Sequence, residues 1–66
     1  MMPEEIYEKM RERRQLLRIT QRELSDISGV ALRTIKMVES GKCNPSMSTL
    51  HGMLAVLGMT LEAKVK

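Results

Sequence analysis

A chain of 66 residues forms one domain, near the lower size limit for folding without disulfides or a structural metal. Its core must come from Leu, Ile, Val and seven Met, because Tyr7 stands alone as an aromatic and leaves no platform for stacking single-stranded bases. Eleven Lys and Arg against eight Asp and Glu leave a net charge of +3, a bias that matters through its distribution.

Pro3 suits the first turn of a helix, and Glu4 and Glu5 complement the positive end of its dipole. This first helix is expected to run from Pro3 to Leu17 or Arg18, with Ile6, Met10 and Leu17 on one apolar stripe and Arg13 or Arg14 between them. Ile19 follows as a core anchor. From Lys9 to Arg22 the chain carries Lys9, Arg11, Arg13, Arg14, Arg18 and Arg22 against Glu12 alone. Positive charge thus gathers just before the central segment.

That segment is TQRELSDISGVALRTIKMVESG, Thr20 to Gly41. Thr20 and Glu23 stand at capping-box spacing, so a helix is expected from Gln21 to Ser28, with Leu24 and Ile27 as its apolar face. Gly29 permits a sharp reversal. A second short helix then runs from Ala31 or Leu32 to Ser40. Ile35 and Val38 share one face of it and leave Leu32, Arg33, Lys36 and Met37 on other sides. Ala31 is a poor helix start, since it has no side-chain oxygen to accept from the open amides.

Ser40-Gly41-Lys42 reads as a helix stop and Cys43-Asn44-Pro45-Ser46 as a turn-rich link. Ser46 or Ser48 can cap a fourth helix with a Leu50, Met53, Leu54, Leu57 stripe. Beyond Gly58 the period changes to two: Leu61, Ala63 and Val65 alternate with Thr60, Glu62, Lys64 and Lys66, as in a half-buried strand. A lone strand lacks a partner within the chain and needs one from a second copy. A frayed tail or the beginning of a fifth helix is the competing expectation.

The ordered set Arg14, Ile19-Thr20-Gln21, Leu24, Gly29, Val30, Ile35, Glu39, Gly41, Asn44-Pro45, Leu50 and Leu57-Gly58 resembles the lambdoid phage repressor and Cro (XRE) family of helix-turn-helix DNA-binding proteins. The likeness extends from about Ile6 to Gly58. It implies an all-α, compact four- to five-helix repressor-type domain over residues 1–58, leaving residues 59–66 as a C-terminal segment. A repressor-type domain followed by a short dimerising strand is similar to HipB-like antitoxin regulators, which implies a homodimer paired through Leu61, Ala63 and Val65 and a cognate toxin protein as a further partner. The resemblance also implies an inward ion pair between Arg14 and Glu39.

For the DNA contacts, the resemblance assigns Ala31, Leu32, Arg33 and Met37 to base edges in the major groove. Arg33 can donate two hydrogen bonds to guanine, while Ala31, Leu32 and Met37 can pack on thymine methyls; partial core burial is the plain alternative for Leu32 and Met37. Thr20 and Gln21, at a helix start where amides and dipole favour an anion, are candidate phosphate contacts. Arg22, Thr34, Lys36 and Lys42 are further ones. Arg11, Arg13 and Arg18 are equally well explained as a solvated face.

The expected function is therefore a sequence-specific double-stranded DNA-binding regulator, acting as a homodimer on an inverted-repeat operator, with a protein-binding adaptor of the same fold as the rival class. An enzyme is not expected, because one His, one Cys and scattered carboxylates form no convergent site. Cys43 has no second thiol to pair with, and it and His51 have no metal-ligand pattern, so neither metal nor cofactor is expected. No apolar run reaches membrane-spanning length and no signal-peptide pattern opens the chain, so the expected location is the cytoplasm.

Overall fold

The structure is a computed structural model that describes residues 4–62. It contains four helices among these residues: α1 (Glu4–Leu16), α2 (Gln21–Ser28), α3 (Leu32–Glu39) and α4 (Met47–Leu57). Both α3 and α4 pack on α1 and α2. No described residue is in a strand; Leu61 is exposed in irregular backbone, and Ala63 and Val65 lie outside the described residues.

The core is Tyr7 and Met10 from α1, Leu24 from α2, Ile35 and Val38 from α3, and Leu50, Met53, Leu54 and Leu57 from α4. Ile6, Ile19, Val30, Cys43, Val56 and Met59 pack around it. The α4 stripe expected from its spacing is thus the buried one.

Local chemistry sets several of the helix ends. Thr20 Oγ1 accepts from Glu23 N–H at 3.0 Å while Glu23 Oε1 accepts from Thr20 N–H at 2.9 Å, the reciprocal box expected at the start of α2. Gly29 ends α2 at φ 78°, in the left-handed region that glycine enters at little cost. At the start of α4, Ser46 Oγ accepts from Thr49 N–H at 3.1 Å. Ala31 stands at the start of α3 with no side-chain cap.

Two expectations need correction. The first helix ends at Leu16, not at Leu17 or Arg18: Arg18 is left-handed at φ 58°, and Arg18 and Ile19 N–H donate to Gln15 O and Arg14 O at 3.0 and 3.1 Å. These bonds form a glycine-free version of the common helix stop that satisfies the last carbonyls. Leu17 consequently falls on the turn and is 39% exposed, and α1 contributes Tyr7 and Met10 to the core instead. The second correction is Ile27, which is 65% exposed. The inward stripe of α2 is Gln21, Leu24, Ser25 and Ser28, and at 100° per residue Ile27 points well away from it.

Candidate nucleic-acid interface

The buried side of α3 is Ile35, Val38 and Glu39. Glu39 is the one acidic residue of that helix and it faces inward, so the outward side keeps Arg33 and Lys36 with no carboxylate between them. Arg33, Lys36 and Met37 are exposed, Leu32 and Thr34 half-buried, and Ala31 exposed just before the first turn. Of the four residues assigned to base edges, Leu32 is therefore the one drawn partly toward the core.

The buried carboxylate is held from two elements. Arg14 of α1 donates from Nε to Glu39 Oε2 at 2.7 Å and from Nη2 to Oε1 at 3.0 Å, a two-pronged pair that fits guanidinium geometry. Its remaining Nη1 donates to Ile19 O at 2.8 Å. Gln21 of α2 adds a hydrogen bond from Nε2 to Glu39 Oε1 at 3.1 Å. The network locks the end of α3 to α1 and to the start of α2.

That last bond also decides what lies where on the surface. It brings the start of α2, with Thr20, Gln21 and exposed Arg22, to the end of α3 that leads into exposed Lys42. Gln21 spends one amide hydrogen on Glu39 and keeps the other. Thr20 uses its oxygen to cap α2, which leaves its hydroxyl proton available. The Thr20 N–H, and after it the Thr20 side chain, hold the Glu23 carboxyl below its ordinary range. Glu23 therefore adds negative charge at the α2 start near neutral pH, and the amides and Arg22 oppose it.

Arg13 has a role its sequence context did not reveal. It is half-buried, and its Nε donates to Leu57 O at 2.9 Å, closing the last turn of α4. A backbone acceptor 44 residues away leaves no mark in the sequence. Arg11 and Arg18 are exposed, as is His51. No group of three or more His, Cys, Asp or Glu among the described residues could hold a metal ion.

A family model described as helix-turn-helix matches residues 10–64, most of the chain. An uncharacterized HTH-type transcriptional regulator of Haemophilus influenzae is 46% identical over 48 residues, which cover 73% of this chain and 49% of that protein. The chain thus spans about half the length of the curated relative it matches. No solved structure gives a significant match.

Proposed function

The chain belongs to the Cro/C1-type helix-turn-helix family of DNA-binding transcription regulators, and from that premise we propose that it binds an inverted-repeat operator as a homodimer, probing the major groove with α3. The observation that carries this proposal is the division of α3 into a fully buried side, Ile35 and Val38, and an outward side of Arg33, Lys36 and Met37 that the fold leaves uncovered. A helix fits the major groove of B-DNA, where every base pair shows its own donor and acceptor pattern.

In this proposal Ala31, Leu32, Arg33 and Met37 meet base edges, and Thr20, Gln21, Arg22, Thr34, Lys36 and Lys42 meet phosphates. The Arg14–Glu39 pair fixes the angle at which they are presented. Residues 1–58 are the reading domain and residues 59–66 pair with the same segment of a second copy through Leu61, Ala63 and Val65. Two such domains set their reading helices one duplex turn apart, roughly 34 Å. Repression is the expected output, since a bound dimer occludes the site it occupies. An antitoxin role, with a toxin protein as second partner, is supported by the likeness to HipB-like regulators in the order of domain and alternating tail.

The test is a pair of variants on matched and mismatched duplexes. Arg33→Ala should relax preference at one operator position by ~1–3 kcal/mol, whereas Lys42→Ala should weaken all duplexes alike and flatten the salt dependence. Identical behaviour of the two variants would remove α3 as the reader. Wild type that ignores duplex at low salt would favour the adaptor class instead.

A further inference from the structure

Among the described residues Arg18 is the one residue other than glycine with left-handed backbone. An L side chain is crowded in that conformation, which glycine enters freely and Asn enters next most readily. A residue needed only to stop α1 would be one of those two. Arginine instead sets a long cation on the turn between α1 and α2, and backbone strain of this kind gathers where a side chain has a task that offsets it. Arg18 is exposed, and the one ion pair among the described residues joins Arg14 to Glu39, so no carboxylate of theirs answers the Arg18 guanidinium.

The turn is held on both sides of this residue. Arg18 N–H donates to Gln15 O at 3.0 Å, Ile19 N–H to Arg14 O at 3.1 Å, and Arg14 Nη1 to Ile19 O at 2.8 Å. Arg14 also grips Glu39 at the end of α3. The backbone that carries Arg18 is therefore tied to the same guanidinium that sets α3. Two residues further on, Thr20 opens α2. We propose that Arg18 is a further phosphate contact, gripping the DNA backbone beside the phosphate met by the start of α2. This rests on the DNA reading above and adds a residue that stops α1 and binds the duplex at once. Guanidinium and phosphate pair through two parallel hydrogen bonds, and a cation carried on fixed backbone has less freedom to lose on binding. The Glu23 carboxylate accepts from Thr20 N–H at 2.9 Å and opposes an anion at this helix start; Arg18 and Arg22 flank it in sequence, two cations against one. Phosphate is the same beneath every base, so the contact supplies register and affinity rather than sequence preference.

Fluorescence anisotropy of the full chain on a random-sequence duplex, titrated at several salt concentrations, tests this, with urea titration to follow the fold. Arg18→Gly should raise the urea midpoint and still weaken binding several-fold, lowering the slope of log affinity against log salt by about 0.9 for each reading domain on the duplex. Arg18→Asn keeps a residue tolerant of left-handed backbone and should lose the same slope, whereas Arg18→Lys should retain it. Lys9→Gln removes an equal charge from an exposed position of α1 and should leave the slope unchanged. A residue that served the turn alone would not move stability and affinity in opposite directions. A wild-type slope in both Arg18→Gly and Arg18→Asn, with Lys42→Ala still lowering it, would overturn the proposal and leave the DNA reading standing. An equal loss in Lys9→Gln would reduce Arg18 to general charge and overturn it as well. Wild type that binds no duplex at low salt would refute both readings together.

Discussion

Helices α3 and α4 both pack on α1 and α2, yet they are finished in opposite ways. The start of α4 is capped by Ser46 and its outward surface is uncharged; α3 starts at uncapped Ala31 and turns Arg33 and Lys36 outward. Their anchors differ too. Four apolar side chains hold α4, whereas α3 adds to Ile35 and Val38 a buried carboxylate held by Arg14 and Gln21. The contrast shows that the less favourable helix start coincides with the surface proposed to read bases, where Ala31 has a methyl to offer a thymine and a capping hydroxyl would compete with it. Stability absent from the start of α3 is supplied at its far end.

The ion pair is the most consequential place to break this contrast. Glu39→Ala leaves the Arg14 side chain, 12% exposed, without its carboxylate and should cost about 3–5 kcal/mol in urea titration, as removal of one partner of a buried pair does. That is a large share of the ~3–10 kcal/mol available to a domain of this size. The counterpart on α4 is Leu50→Ala, with an expected loss of about 2–5 kcal/mol from transfer and cavity effects. Raising salt should change neither loss much, because a buried pair is screened far less than exposed charges are.

Exchanging the caps sharpens the comparison at smaller amplitude. Ser46→Ala should cost, and Ala31→Ser should gain, about 1 kcal/mol. If Ala31 meets a base edge, Ala31→Ser should also lower affinity for the preferred duplex in anisotropy titrations while raising the melting temperature. Improved stability with unchanged affinity would remove Ala31 from the base contacts.

The smallest effect concerns α2, on which both helices lean. Because the Glu23 carboxyl is held below its ordinary range in the fold, its contribution is present above the unfolded-state value and is lost as pH falls through the lowered one. Acid titration of stability should therefore be shallower in Glu23→Gln than in wild type. Equal slopes would mean that the box contributes no pH-dependent stability.

Features set by neighbours in the chain were legible in advance. The box at Thr20 and Glu23, the reversal at Gly29, the inward pair Ile35 and Val38, and the α4 stripe each follow from spacings within a few residues. The Arg14–Glu39 contact joins residues 25 apart and was expected through family resemblance, since nothing local singles out one arginine among six basic residues from Lys9 to Arg22. The misplaced residues have physical causes. The stop at Arg18 uses no glycine, so periodicity alone carries the α1 stripe on to Leu17, and Ile27 is an apolar residue on a short amphipathic helix whose inward side is already filled. The Arg13 bond to Leu57 was illegible because a backbone carbonyl is the same at every position. The outward side of α3 was legible only as the side left over once Ile35 and Val38 are placed inward.

That Arg13 bond has a kinetic consequence. It fastens the closing turn of α4 to α1, and Arg14, the next residue, fastens α1 to the end of α3. Unravelling the C-terminal end of α1 would release both clasps at once, so the two helix ends it secures should not breathe independently. Amide protons of Gly58 and Met59, which donate to Ala55 O and Leu54 O, should exchange with deuterium at rates close to those of Ser40 and Gly41, through a shared opening rather than separate fraying.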